Sequence, residues 1–352
     1  MEQDRPLREA PLTEDMLKAY SICRLKLEKL EGNYIETYGK TEQDISLEAS
    51  EWARNTVFDD KEPLPGIDPR TGAYGADYAS MGFYSAGMDY SDRGEHKKAA
   101  ANFTKAIGIN PRNIYAYHAR GITRISLGEY QPALEDFTNA VELNPVMLAR
   151  NNGQSRALVE TLDTDTRCRL EQTLAENLVN RGAAFQKTGN YDGALADFRE
   201  AVDYTPDFAE AWSNIGWIYF LLDEYEVSIA HSTKAIELNP SLSKTYFHRA
   251  FALVRIDKFK EAIPDFDTGL AMQPGYANAH SLRGICYLAL KDFQPALTDL
   301  DEALRLNPDD GQAYYHRALT YYQLGERDKA FADYKEAVRY DSSYKSAKVL
   351  FE

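Results

Sequence analysis

The chain has 352 residues, with 55 acidic against 40 basic side chains and a formal net charge of −15. A single core rarely extends past about 250–300 residues, so this length requires several domains or a repeated unit. The acidity excludes a general nucleic-acid binder and a membrane-surface adsorber, because clustered Lys and Arg are what hold phosphate backbones and anionic headgroups.

The N-terminus, MEQDRPLREAPLTED, has no apolar core of the signal-peptide kind, and no run of about 18 apolar residues occurs anywhere. The expectation is therefore a cytoplasmic protein with no membrane insertion. Cys23, Cys168 and Cys286 are far apart and form no CxxC, which reads as idle thiols rather than a zinc ribbon or a disulfide framework.

Residues 1–79 hold 17 acids and 10 bases, so this segment alone supplies −7 of the total. A helix is expected from Thr13 to about Glu31, with Met16, Leu17, Tyr20, Cys23, Leu27 and Leu30 in an apolar stripe. A second is expected from Thr41, carrying Ile45, Ala49, Trp52 and Ala53 behind a Thr-x-x-Asp cap. A Pro/Gly-rich connection then covers 59–78. This acidic helical extension reads either as a cap on the array that follows or as a tethered segment that folds back into its groove.

From residue 80 the chain repeats itself. Pro111, Pro145, Pro206, Pro240, Pro274 and Pro308 are spaced by 34 residues, except for one step of 61, which is 34 plus 27. Seven units follow, at 80–113, 114–147, 175–208, 209–242, 243–276, 277–310 and 311–344, with an insertion at 148–174. Each reads as two amphipathic helices joined by a short turn. Position 8 is always Gly or Ala and position 20 Ala or Ser, as expected where two helices cross closely. Position 24 is filled by Phe103, Phe137, Phe198, Phe266 and Tyr334, and proline at position 32 ends the second helix.

Arg stands at position 7 in five units, as Arg120, Arg181, Arg249, Arg283 and Arg317. The same five carry Asp136, Asp197, Asp265, Asp299 and Asp333 at position 23, and the two that lack one partner lack the other. Residues that come and go together predict a guanidinium–carboxylate pair between helices, within or between units.

Trp212, Gly216, Tyr219, Ala235 and Pro240 show the pattern most fully, with Ser228 and Ser232 as departures. The pattern resembles the tetratricopeptide repeat (TPR) family, and the LNP helix ends resemble its bacterial-type adaptors. That resemblance implies an all-α, right-handed superhelical solenoid of seven helix hairpins with an N-terminal helical extension. It also implies that the first helix of each unit lines a concave face. Repeats one and two then occupy 80–147, repeats three to seven 175–344, and a short C-terminal helix 345–352 with Val349 and Phe351. In the 148–174 insertion, a helix is expected over Ser155–Leu162 and a break at Asp163–Asp165. Leu170, Leu174 and Leu178 predict a long helix running into repeat three.

No phosphate-binding loop, zinc-protease, nucleophile-elbow or EF-hand motif is present, so neither catalytic residues nor a cofactor is expected. His248 and His316 occupy equivalent positions two repeats apart, about 20 Å, too far to share one metal. The concave positions of repeats four to seven carry Asn214, Trp217, Phe220, Lys244, Phe247, His248, Phe251, Arg255, Ile285, Leu288, Tyr315, His316 and Tyr322. An aromatic and aliphatic groove with a few polar anchors suits a peptide or an amphipathic helix, with Trp217, Phe247 and Phe251 as the leading contacts. The alternative for residues at positions 5 and 12 is packing between neighbouring first helices.

The carboxylate clamp of one family subgroup is not reproduced, since repeat three offers only Val179 and Ala183 in its place. Basic columns of the RNA-reading kind are absent too. The function expected is a noncatalytic protein-interaction adaptor. The alternative is a scaffold that self-associates through its array ends or its N-terminal segment.

Overall fold

Fifteen α-helices and one 3₁₀ segment make up the computed structural model, which describes residues 73–151 and 164–350, with side chains over 80–148 and 164–346. No strand occurs among the described residues. The chain divides into two compact units between Pro206 and Asp207. In the first, α1 (Ala73–Asp92) pairs with α2 (His96–Ile109), and α3 (Ile114–Ser126) with α4 (Tyr130–Glu142). The short α5 (Pro145–Asn151) follows, then α6 (Thr164–Lys187) pairs with α7 (Tyr191–Tyr204). In the second, the hairpins are α8 (Ala209–Leu221) with α9 (Tyr225–Leu238) and α10 (Ser243–Arg255) with α11 (Phe259–Met272). They continue as α12 (Ala277–Ala289) with α13 (Phe293–Leu306) and α14 (Gly311–Gln323) with α15 (Arg327–Tyr340), before the 3₁₀ segment Ser342–Leu350.

The small residues do what their spacing predicts. A Cβ added at Gly87, Gly121 or Gly182 would fall 2.5, 2.7 or 2.6 Å from the ring of Phe103, Phe137 or Phe198. Position 8 is thus the floor on which the ring at position 24 lies, and burying such a ring contributes about 2–3 kcal/mol. The first helix of every repeat ends in a left-handed residue at position 15. It is Gly94, Gly128, Gly189 and Gly325 in four repeats, but Asp223, Asp257 and Lys291 in the others, with φ between 58° and 62°. The LNP ends are Asx-turns: Asn110 and Asn239 accept the backbone N–H two residues on at 2.9 and 3.0 Å.

All five Arg–Asp pairs form within their own repeat. Arg181, Arg249 and Arg283 each place Nε and Nη2 on the two carboxylate oxygens of Asp197, Asp265 and Asp299 at 2.7–2.8 Å. Arg317 does the same on Asp333 at 2.6 and 2.8 Å, and Arg120 on Asp136 at 3.0 and 2.7 Å. In four of the five, the remaining Nη1 reaches back to position 25 of the preceding repeat. Arg120 and Arg249 donate there to Thr104 and Thr233 at 3.0 Å, and Arg283 and Arg317 to Asp267 and Asp301 at 2.6 Å. One guanidinium therefore joins three helices, a link across repeats that the sequence pattern did not announce.

Several expectations are revised at the edges. The two helices expected at Thr13 and Thr41 and the one at Ser155–Leu162 lie outside the described residues. Helix α1 already runs through 73–78, inside the expected connection, because Pro69 is the last residue there that removes a helix donor. Thr164 and Asp165 belong to the first turn of α6 rather than to a break, an acidic start that suits the helix dipole. The Leu170, Leu174 and Leu178 stripe of that helix is buried. The chain end is a 3₁₀ segment from Ser342 rather than an α-helix, opening on an Asx-turn in which Asp341 accepts the Ser343 N–H at 2.8 Å. Helix α11 continues through Pro264.

Candidate peptide-binding groove

Helices α8, α10, α12 and α14 carry the residues expected to line a groove. Its densest part lies where α8 meets α10. There Trp217 stacks on Phe220, one turn along the same helix, with ring centroids 5.0 Å apart and planes at 16°. It also stacks on His248 of the next repeat at 4.6 Å and 28°. Phe251 meets the indole edge-on at 6.4 Å. Below these rings, Thr245 donates to the Ser213 hydroxyl at 2.8 Å, and Ser213 lies 3.3 Å from Nδ1 of His248. The result is a slab of near-parallel rings whose tilt is held by packing and by hydroxyls, as a pre-organised contact surface requires.

Not every expected residue faces outward. Phe247 is 2% exposed, its ring lying where a Cβ on Gly269 would come within 2.5 Å, and it meets Tyr276 edge-on at 4.8 Å. Tyr315 repeats that arrangement by stacking on Tyr344 at 4.4 Å. Both are pairs between positions 5 and 34 of one repeat, so position 5 packs inside its own hairpin region. Phe251 is 6% exposed and supports the slab from beneath, against Phe266 at 6.0 Å. Arg255 turns to the lip, over the Tyr225 ring at 4.7 Å and 3.4 Å from Asp223, to which the Tyr225 hydroxyl also donates.

Asn214, Trp217, Phe220, His248, Ile285, Leu288, His316 and Tyr322 are half-buried, and Lys244 is exposed. The Arg327 guanidinium sits over Tyr322 at 5.3 Å. Burial pushes His248 down to about 3, and the Lys244 ammonium acts in the same direction. Burial also lowers His316, whose Nδ1 lies 2.8 Å from the Gln312 carbonyl. Both imidazoles are neutral at pH 7, so the positive groups beside the slab are Lys244, whose pKa is lowered from its ordinary value by desolvation, and Arg255 at the lip. No group of three or more His, Cys, Asp or Glu that could hold a metal occurs among the described residues. The ring partners at position 34, Tyr276 and Tyr344, were not anticipated, although their aromatic character is visible at a fixed offset of 29 from position 5.

Models described as "Tetratricopeptide repeat" match residues 114–146, 209–242, 277–310 and 311–344, and one described as "TPR repeat" matches 182–223. The chain is a tetratricopeptide repeat protein. Residues 243–276, between two matched segments, carry the same bracket through Arg249 and Asp265. The repeat protein is similar to human "Tetratricopeptide repeat protein 6", 28% identical over 136 residues, which is 39% of this chain and 21% of that protein. The chain thus spans about a fifth of that relative's length.

Among solved structures, a tetratricopeptide repeat protein of Parabacteroides merdae has a TM-score of 0.50 at 18% identity, covering 77% of this chain and 97% of that one. Pseudomonas aeruginosa PilF has 0.55 at 19%, covering 68% and 96%. At such identities these two establish the all-α repeat fold alone. No helix among the described residues of the repeat protein is long and apolar enough to cross a membrane.

Proposed function

We propose that this tetratricopeptide repeat protein is a noncatalytic adaptor holding a peptide or an amphipathic helix of a protein partner in the groove of repeats four to seven. The observation that carries this reading is the slab in which Trp217 lies between Phe220 and His248. Half-buried aromatic rings held in one orientation are the usual energetic centre of a protein contact, since little rotamer freedom remains to be lost on binding. Ile285 and Leu288 extend the apolar contacts along α12, and Asn214 and Lys244 offer donors beside them. The neutral His248 makes apolar and stacking contacts rather than an ionic one. Residues 80–147 and 175–344 form the array in this reading, with 1–79 and 148–174 accessory to it.

A phage-displayed peptide library panned on the full chain tests the proposal. Selected peptides are expected to lose at least about tenfold in affinity to Trp217→Ala, the loss of a central aromatic anchor. The exposed second-helix variant Lys335→Ala is expected to bind as the parent does. Circular dichroism checks that helicity is retained. Peptides whose affinity ignores Trp217→Ala would refute the groove.

A further inference from the structure

Repeat four departs from its neighbours where the other hairpins of its unit are fastened. Position 24 holds Ser232 where repeats five, six and seven hold Phe266, Leu300 and Tyr334, and position 20 holds Ser228 where they hold alanine. Both hydroxyls are 0% exposed, and neither makes a hydrogen bond within the described protein; repeat six has one such hydroxyl, Ser281 on α12, but keeps its Arg283–Asp299 bracket. A hydroxyl withdrawn from water without a partner destabilises the state that buries it. The Arg–Asp bracket is missing too, replaced by Ile215 and His231. What joins α8 to α9 on that side is the His231 ring, stacked between Trp212 at 5.5 Å and Tyr219 at 5.4 Å. Meanwhile α8 is tied sideways to α10 through Trp217 on His248 and through Ser213 with Thr245.

We propose that the α8–α9 hairpin is a built-in weak unit, opening separately from repeats five to seven, and that its closure completes the groove. The opening follows from the packing of repeat four alone. The link to the groove rests on the function proposed above, because Asn214, Trp217 and Phe220 all stand on α8. A segment with fewer satisfied buried groups and no charged bracket is where local unfolding begins, and a partner bridging α8 and α10 would select the closed form.

Hydrogen exchange by mass spectrometry on the full chain, without any partner, tests the proposal. Amides of α8 and α9 are expected to exchange about ten times faster than those of α12 and α13, and also faster than those of α14 and α15, which lie at the other end of the unit. Protection of repeat four equal to that of repeat seven would overturn it. The double variant Ser228→Ala with Ser232→Ala is expected to slow exchange in α8 and α9 several-fold while leaving α14 and α15 as they were, by removing the unmatched hydroxyls. Unchanged rates in α8 and α9 would also overturn it. Neither outcome depends on peptide binding, so failure here is distinguishable from failure of the Trp217→Ala test.

Discussion

Repeats four and five follow one another in the chain and share the 34-residue pattern, yet they are held shut by different chemistry. Repeat five has Phe266 buried at position 24 and Arg249 clamped on Asp265, with Nη1 reaching Thr233 of the repeat before. Repeat four has neither clamp nor ring, and sandwiches His231 between Trp212 and Tyr219 instead. Both close into the same hairpin. The difference teaches that the glycine and alanine positions decide how closely the helices approach, while the fastening is a replaceable set of partners. Within that set the Arg and the Asp come and go together, whereas the ring is independent of them: repeat one keeps Phe103 without the bracket, and repeat six keeps the bracket with Leu300 in place of a ring.

Removing one partner from each fastening should separate the two repeats most widely. Asp265→Ala leaves the Arg249 guanidinium largely buried and without its carboxylate, at an expected cost of about 3–5 kcal/mol. His231→Ala removes the ring stacked on Trp212 and Tyr219 but strands no buried guanidinium, at an expected cost of about 1–2 kcal/mol. Urea unfolding followed by far-ultraviolet circular dichroism reads both, since every repeat is helical. Equal losses would break the comparison.

A smaller effect, softened by solvent at a half-buried ring, comes from His248 at the junction of the two repeats. Its folded pKa lies near 3, below the ordinary 6.5. The unfolded chain therefore binds the proton first, and stability present above pH 6.5 is lost as the pH falls toward 3. His248→Gln should flatten that slope in urea midpoints measured across this range. An unaltered slope would show that other groups carry it.

The smallest effect concerns the turns. Lys291 at φ 62° occupies a site held by glycine in four other repeats, so Lys291→Gly should stabilise the chain by about 0.5–1 kcal/mol. Gly128→Ala, at φ 77°, should cost about 1 kcal/mol. Thermal melts of the two variants shifting in the same direction would contradict this account of the turns.

Much of this was legible before any coordinates. A period of 34 residues puts chemically equivalent side chains at equivalent places, so small residues at positions 8 and 20 mark a helix crossing wherever they recur. The same logic exposed the Arg–Asp pairs, because five coincident presences and two coincident absences require contact. The groove was less legible. Helical spacing shows which side of a first helix is apolar, but the concave surface and the packing surface are adjacent arcs of that side. Phe247, Phe251 and Trp217 look alike in sequence, yet the first two are buried at 2% and 6% while Trp217 keeps a half-exposed ring.

The sequence by itself therefore determined the all-α repeat, the hairpin boundaries within a few residues and the pairing of Arg with Asp in five repeats, since all of these are properties of one periodic unit; that each pair closes inside its own repeat came from the structure. Only the tertiary structure decided which neighbour each side chain meets. The Nη1 contacts of Arg120, Arg249, Arg283 and Arg317, the pairing of position 5 with position 34 and the stacking of Trp217 on His248 depend on how helices lean against one another. That lean is set by side-chain volumes on two helices at once, and no single stretch of sequence contains it.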